Sequence, residues 1–136
     1  MKRFLTILAA LAALAGCQTS AQIASTMEAG TPVALNGRQL DAVRSGVRAV
    51  LKDPGSAQFG TIRAVRMSEG AYVVCGYVNA RNSFGGYTGH QLFSGVMLDI
   101  HPKVAPDFTP MDTFGSTEAK RAGVLAVCRA RGVQIS

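Results

Sequence analysis

The chain has 136 residues, 14 Lys+Arg against 8 Asp+Glu, 48% hydrophobic and 16% charged residues, and three cysteines. That length provides one modest core, and ordinary apolar content with low charge excludes collagen-like and disordered classes. The bulk figures join two unlike parts, because the longest apolar run lies within residues 1–16.

Met1-Lys2-Arg3 precedes an apolar run from Phe4 to Ala15, broken only by Thr6. A short basic start, an apolar stretch of about 7–15 residues and small residues after it make a secretory signal. Such a run is too short to cross a bilayer core of about 30 Å as a helix. Leu14-Ala15-Gly16-Cys17 then resembles the bacterial lipobox, in which the cysteine is acylated and becomes the mature N-terminus. Residues 1–16 are read as a lipoprotein signal peptide and Cys17 as the lipidation site. Gln18 stands where an Asp commonly signals inner-membrane retention, which points to the periplasmic face of the outer membrane. The alternative is cleavage after Ala21, with Thr19 at the −3 position, which releases a soluble periplasmic protein.

Lys2 and Arg3 leave with the signal, so 12 basic and 8 acidic residues remain, a net charge of +4. Arg38, Arg44, Arg48, Lys52, Arg63 and Arg66 stand singly, as on a solvated face. Nucleic-acid binding calls for a clustered basic patch or an aromatic-interleaved motif, and an exported protein rarely meets that ligand. The partners expected are a membrane, through a lipid anchor, and an envelope protein, with no nucleic acid and no cofactor. Cys75 and Cys128 are then an even pair in an oxidising compartment, which implies a disulfide. It closes a loop of about 54 residues, a constraint of roughly 4 kcal/mol on the unfolded chain.

Residues 17–36 are rich in Ser, Thr, Ala and Gly and lack periodicity, and read as a flexible tether. The folded domain is expected over residues 37–136. Leu40, Val43, Val47, Val50 and Leu51 form a helical stripe, with Asn36 as N-cap and Asp53-Pro54-Gly55 as its stop. Phe59–Met67, Tyr72–Asn79 and Gln91–Ile100 read as strands, the last with Leu92, Val96, Leu98 and Ile100 on one face. Pro102 to Pro110 reads as an irregular connector. A second helix opens at Ser116-Thr117-Glu118 and runs to about Arg131, with Gly132 past its end. The order helix-strand-strand-strand-helix predicts an α+β fold, a three-stranded antiparallel meander with both helices packed on it.

Leu51-Lys52-Asp53-Pro54-Gly55-Ser56-Ala57-Gln58-Phe59 and Cys75-Gly76-Tyr77-Val78-Asn79-Ala80-Arg81-Asn82-Ser83-Phe84-Gly85-Gly86-Tyr87-Thr88-Gly89 carry a resemblance. They resemble the LKDP-x-SA-x-F and CG-x-VN-x-x-N-x-x-GGY-x-G segments of a group of small uncharacterised exported bacterial proteins. The resemblance covers about forty residues and implies an architecture and no mechanism.

The Asn79–Phe93 hairpin is the expected functional surface, through Asn79, Asn82, Phe84, Tyr87 and His90. It is longer than joining two strands requires, and long connections often carry function. A phosphate-cradling loop at Gly85-Gly86-Gly89 lacks the Lys-Ser/Thr that follows such loops. A zinc site at His90, Asp99 and His101 lacks ligand spacing, and a Cys75–His90 thiol pair needs a free thiolate. No catalytic residue or metal ligand is therefore assigned. The sequence points to a non-catalytic envelope lipoprotein, an accessory or partner-binding module. The alternative is a small periplasmic hydrolase or ligand-binding protein that uses the same hairpin.

Overall fold

The computed structural model describes residues 27–111 and 117–136. Strand β1 (Thr31–Val33) leads into helix α1 (Gly37–Ala49), a short 3-10 turn (Pro54–Ser56) and β2 (Gln58–Arg66). Strands β3 (Tyr72–Asn79), β4 (Gln91–Leu98) and β5 (Asp107–Met111) follow, and helix α2 (Glu118–Ala130) completes the order. The five strands form one sheet in the order β1-β2-β3-β4-β5, each antiparallel to its neighbour.

The three-stranded meander is thus corrected to five strands. The two additional strands come from segments read as tether and connector, and each contains a proline, Pro32 in β1 and Pro110 in β5. Proline cannot donate to a ladder and is tolerated on sheet edges, where both of these strands lie. Short length and an internal proline mask a strand in sequence because the pairing partner, not local propensity, holds it.

The helices lie on opposite faces. On one face Val43 and Val47 of α1 are fully buried against Ala64, Val74, Val78, Phe93, Met97 and Phe108. On the other, Val124 and Cys128 of α2 pack with Val65, Met67, Val73, Cys75, Leu92, Val133 and Ile135. β3 and β4 are consequently buried on both sides. The expected alternation in β4 is only half of its pattern: Leu92 is buried, but Leu98 and Ile100 are exposed, while Phe93 and Met97 of the opposite parity are buried under α1.

Burying both faces requires close approach. A Cβ on Gly95 would lie 2.3 Å from Phe108 Cζ, and one on Gly46 of α1 would lie 2.6 Å from the Phe108 carbonyl oxygen. Likewise a Cβ on Gly76 would meet Phe93 at 2.6 Å. These glycines seat an aromatic row in which Phe59 and Phe93, and Phe93 and Phe108, meet edge to face at 6.5 and 6.3 Å.

Both helices are closed by local chemistry. Asn36 Oδ1 accepts from Gln39 N and Gln39 Oε1 accepts from Asn36 N, each at 3.0 Å, a capping box that opens α1. At the end of α2, Val133 N donates to Cys128 O and Gly132 N to Arg129 O, with Gly132 at φ 85°. That is a Schellman end, and it buries Val133 against the helix it terminates. Cys128 is bonded to Cys75 of β3 with 6.3 Å between their Cα atoms, so α2 is covalently fixed to the middle strand.

The packing of α1 predicts opposite outcomes for two helical glycines. Gly46→Ala gains helix propensity of about 1 kcal/mol but drives a methyl into Phe108, so a net loss of about 1–2 kcal/mol is expected. Gly123→Ala on α2, where nothing lies within 4 Å, should gain up to about 1 kcal/mol. Urea denaturation of the two variants measures both; equal shifts would remove the Gly46–Phe108 contact from this account.

Candidate functional site

The β3–β4 connection continues the two central strands beyond the sheet. Val78 pairs with Gln91, and after them the chain forms a bridge between Arg81 and Tyr87 before turning. Its shape is set by asparagine. Asn82 Oδ1 accepts from the amides of Phe84 at 2.9 Å and Gly86 at 3.1 Å, while Asn82 N donates to Gly86 O at 2.8 Å. At the base, Asn79 Oδ1 accepts from Gly89 N at 3.0 Å. Gly85 and Gly89 both hold φ near 81°, a conformation that side chains rarely adopt.

The two segments that carried the family resemblance meet here. Ser56 Oγ accepts from Arg81 N at 2.8 Å and donates to Asp53 O at 2.8 Å. Gln58 Nε2 donates to Tyr87 Oη at 3.4 Å, and the Arg81 guanidinium stacks 5.4 Å from the Tyr87 ring centre. The Asp-Pro-Gly-Ser turn is therefore a buttress for the loop. Ser56, Gln58 and Arg81 were given no role from sequence, where Asp53-Pro54-Gly55 reads as a helix stop and Ser56 only as part of the LKDP-x-SA-x-F segment.

The site residues expected from sequence divide into two kinds. Asn79 and Asn82 spend their side-chain oxygens on loop amides and hold the loop's form. Phe84 is 96% exposed at the tip, and Tyr87 and His90 are also exposed. His90 faces Gly60 of β2, whose Cβ position is 3.6 Å from its Nδ1. Asp99 and His101 lie past the other end of β4, about 25 Å away at strand rise. Among the described residues, no three His, Cys, Asp or Glu side chains are grouped to hold a metal ion. The Cys75 sulfur is engaged in the disulfide, so it offers no thiolate.

Beside the loop base lies a recess of about 320 Å³. Val50, Leu51, Val78 and Ala80 provide apolar wall, and Lys52, Arg81 and Lys120 bring three cations to it, with no carboxylate among the described lining residues. The ion pair found among the described residues, Arg44 with Asp41 at 3.7 Å, engages none of the three. An anion next to apolar surface is what such a recess can accept. Sequence reading missed it because Lys52, Arg81 and Lys120 are scattered along the chain and meet only at this end of the sheet.

Residues 1–18 match the family profile of the prokaryotic membrane lipoprotein lipid attachment site. The chain thus carries a lipoprotein signal, and a lipid anchor in an envelope membrane follows from it. No helix among the described residues is long and apolar enough to cross a membrane. No curated protein and no solved structure matches the chain.

Replacing Asn82 with alanine removes the acceptor for two amides at once. Amide exchange at Phe84 and Gly86 should accelerate about tenfold, with global stability changed by less than about 1 kcal/mol, because the loop is solvent-exposed. Unchanged exchange would show that the tip holds its shape without Asn82.

Proposed function

We propose that this chain is a non-catalytic envelope lipoprotein whose β3–β4 loop is the contact surface for an envelope protein partner. In this reading residues 1–16 are removed, Cys17 is acylated, and the domain is held at the periplasmic face of the outer membrane. Residues 18–26 then link the anchor to the fold.

The observation that carries the reading is the loop's construction. Two asparagines, two positive-φ glycines and the Ser56 buttress hold a form that leaves Phe84 in water. A large aromatic on a pre-shaped loop offers contact area at low entropy cost, the makings of a binding anchor. The recess alongside adds a charge preference, for a partner that presents a carboxylate next to an apolar group. The hydrolase reading finds less support, because Asn79, Asn82 and Thr88 bind the loop's own backbone, and of the expected site residues Asn82 alone lines the recess.

Two measurements test this. Metabolic labelling with a fatty acid should mark the wild type and leave Cys17→Ser unlabelled; equal labelling would move the anchor elsewhere. Crosslinking in intact envelopes should capture a partner that Phe84→Ala and Tyr87→Ala weaken by roughly 1–3 kcal/mol, with stability held within about 1 kcal/mol. Capture should also fall with added salt if the cationic recess takes part. Undiminished capture by both variants would assign the loop a structural role alone.

A further inference from the structure

The end of the sheet opposite the loop carries an unexplained apolar display. Leu98 is 47%, Ile100 86% and Val104 60% exposed. These side chains are not on a slack segment. Arg38 of α1 donates from Nη1 to Pro102 O at 2.8 Å and from Nη2 to Val104 O at 2.7 Å. Gln39 Nε2 donates to Asp99 Oδ2 at 2.8 Å, and Val104 N closes a turn on His101 O at 3.1 Å. The backbone is pinned in a form that keeps aliphatic groups in water. Leu98 and Ile100 are two residues apart and the His101–Val104 turn keeps Val104 beside them, and apolar groups gathered in this way at one end of a sheet mark an interaction site.

The chain enters the fold at the same end. Thr31 pairs with Arg66, Arg66 with Tyr72, Tyr72 with Met97 and Met97 with Phe108, one row across all five strands, with Leu98 one residue beyond it on β4. Just ahead of β1, Gly30 N donates to Arg131 O and Glu28 Oε2 accepts from Ser68 Oγ, which fixes the entrance beside the β2–β3 turn. Cys17 is ten residues before Met27. Ten residue steps span at most about 33–36 Å, and β3 alone takes up about 26 Å, with the β3–β4 loop lying beyond it. An anchored domain is therefore held with this end toward the lipid.

We propose that the Leu98–Ile100–Val104 rim rests on the bilayer surface and orients the domain with its β3–β4 loop pointing away from the membrane. The inference rests on the lipid-anchor reading. Acyl chains supply the affinity; the rim supplies direction. Arg38, Arg66, Lys103 and Arg131 share this end with Glu28, Glu69, Asp99 and Asp107, so charge is balanced and the contact is apolar and insensitive to salt.

The chain contains no tryptophan, so a single introduced indole reports its own surroundings. Lipidated Ile100→Trp and Phe84→Trp proteins are reconstituted into vesicles of phosphatidylethanolamine and phosphatidylglycerol, with and without brominated acyl chains. Flotation with the vesicles reports the anchor. The expected result is flotation of both, at least about twofold bromolipid quenching of Ile100→Trp at low and high salt, and none of Phe84→Trp. Flotation with neither indole quenched overturns the rim while leaving the anchor standing. Quenching at Phe84→Trp alone reverses the orientation and overturns it as well. An Ile100→Trp indole shielded from aqueous quencher but untouched by bromolipid assigns the rim to a second copy or a protein partner. Loss of flotation removes the anchor and the inference with it.

Discussion

Phe108 occupies the position on which the rest of the domain depends. Its ring fills the space that Gly95 leaves open on β4, and Gly46 lets α1 descend onto its carbonyl. That contact ties the far edge strand to the helix and fixes the height of α1 over the sheet. One end of α1 then supplies Arg38 and Gln39 to the loop after β4, and the chain leaving the other end supplies Ser56 to the loop after β3. Both surfaces to which a role is given are thus positioned by a single helix. A shift of α1 would disturb them together.

The opposite face is organised by a covalent link instead. Cys75 and Cys128 join β3 to α2, and the Schellman end of that helix turns Val133 and Ile135 back under the sheet. One face is therefore held by shape complementarity, in which aromatic rings sit on glycines, and the other by connectivity. For a chain of this size a thin core on each side is the consequence of covering a sheet twice. The bridge adds to the side where α2 buries Val124 and Cys128.

Much of this order was legible in the residues. The Val43/Val47 stripe, the Asn36 cap, the Gly132 stop and the two central strands follow from local periodicity and end chemistry, which act within a few residues. The cysteine pair follows from count and compartment. What stayed hidden depends on distant partners: β1 and β5 exist through pairing, and their prolines obscure them. The doubly buried character of β4 was concealed because Phe93 and Met97 compete with Leu92 and Val96 for the same alternation. In the loop, the residue types that shape it were visible, but the Ser56 buttress and the meeting of Lys52, Arg81 and Lys120 are products of topology.

The prolines of β1 and β5 have a consequence for life at a surface. Proteins fastened to a lipid sheet diffuse in two dimensions and meet one another far more often than the same number free in a volume. Open strand edges in that setting recruit one another, and a flat sheet grows into an aggregate. Pro32 and Pro110 each remove a donor from one of the two rims through which such growth must pass. Crowding at the membrane is thereby made compatible with a sheet that stays five strands wide.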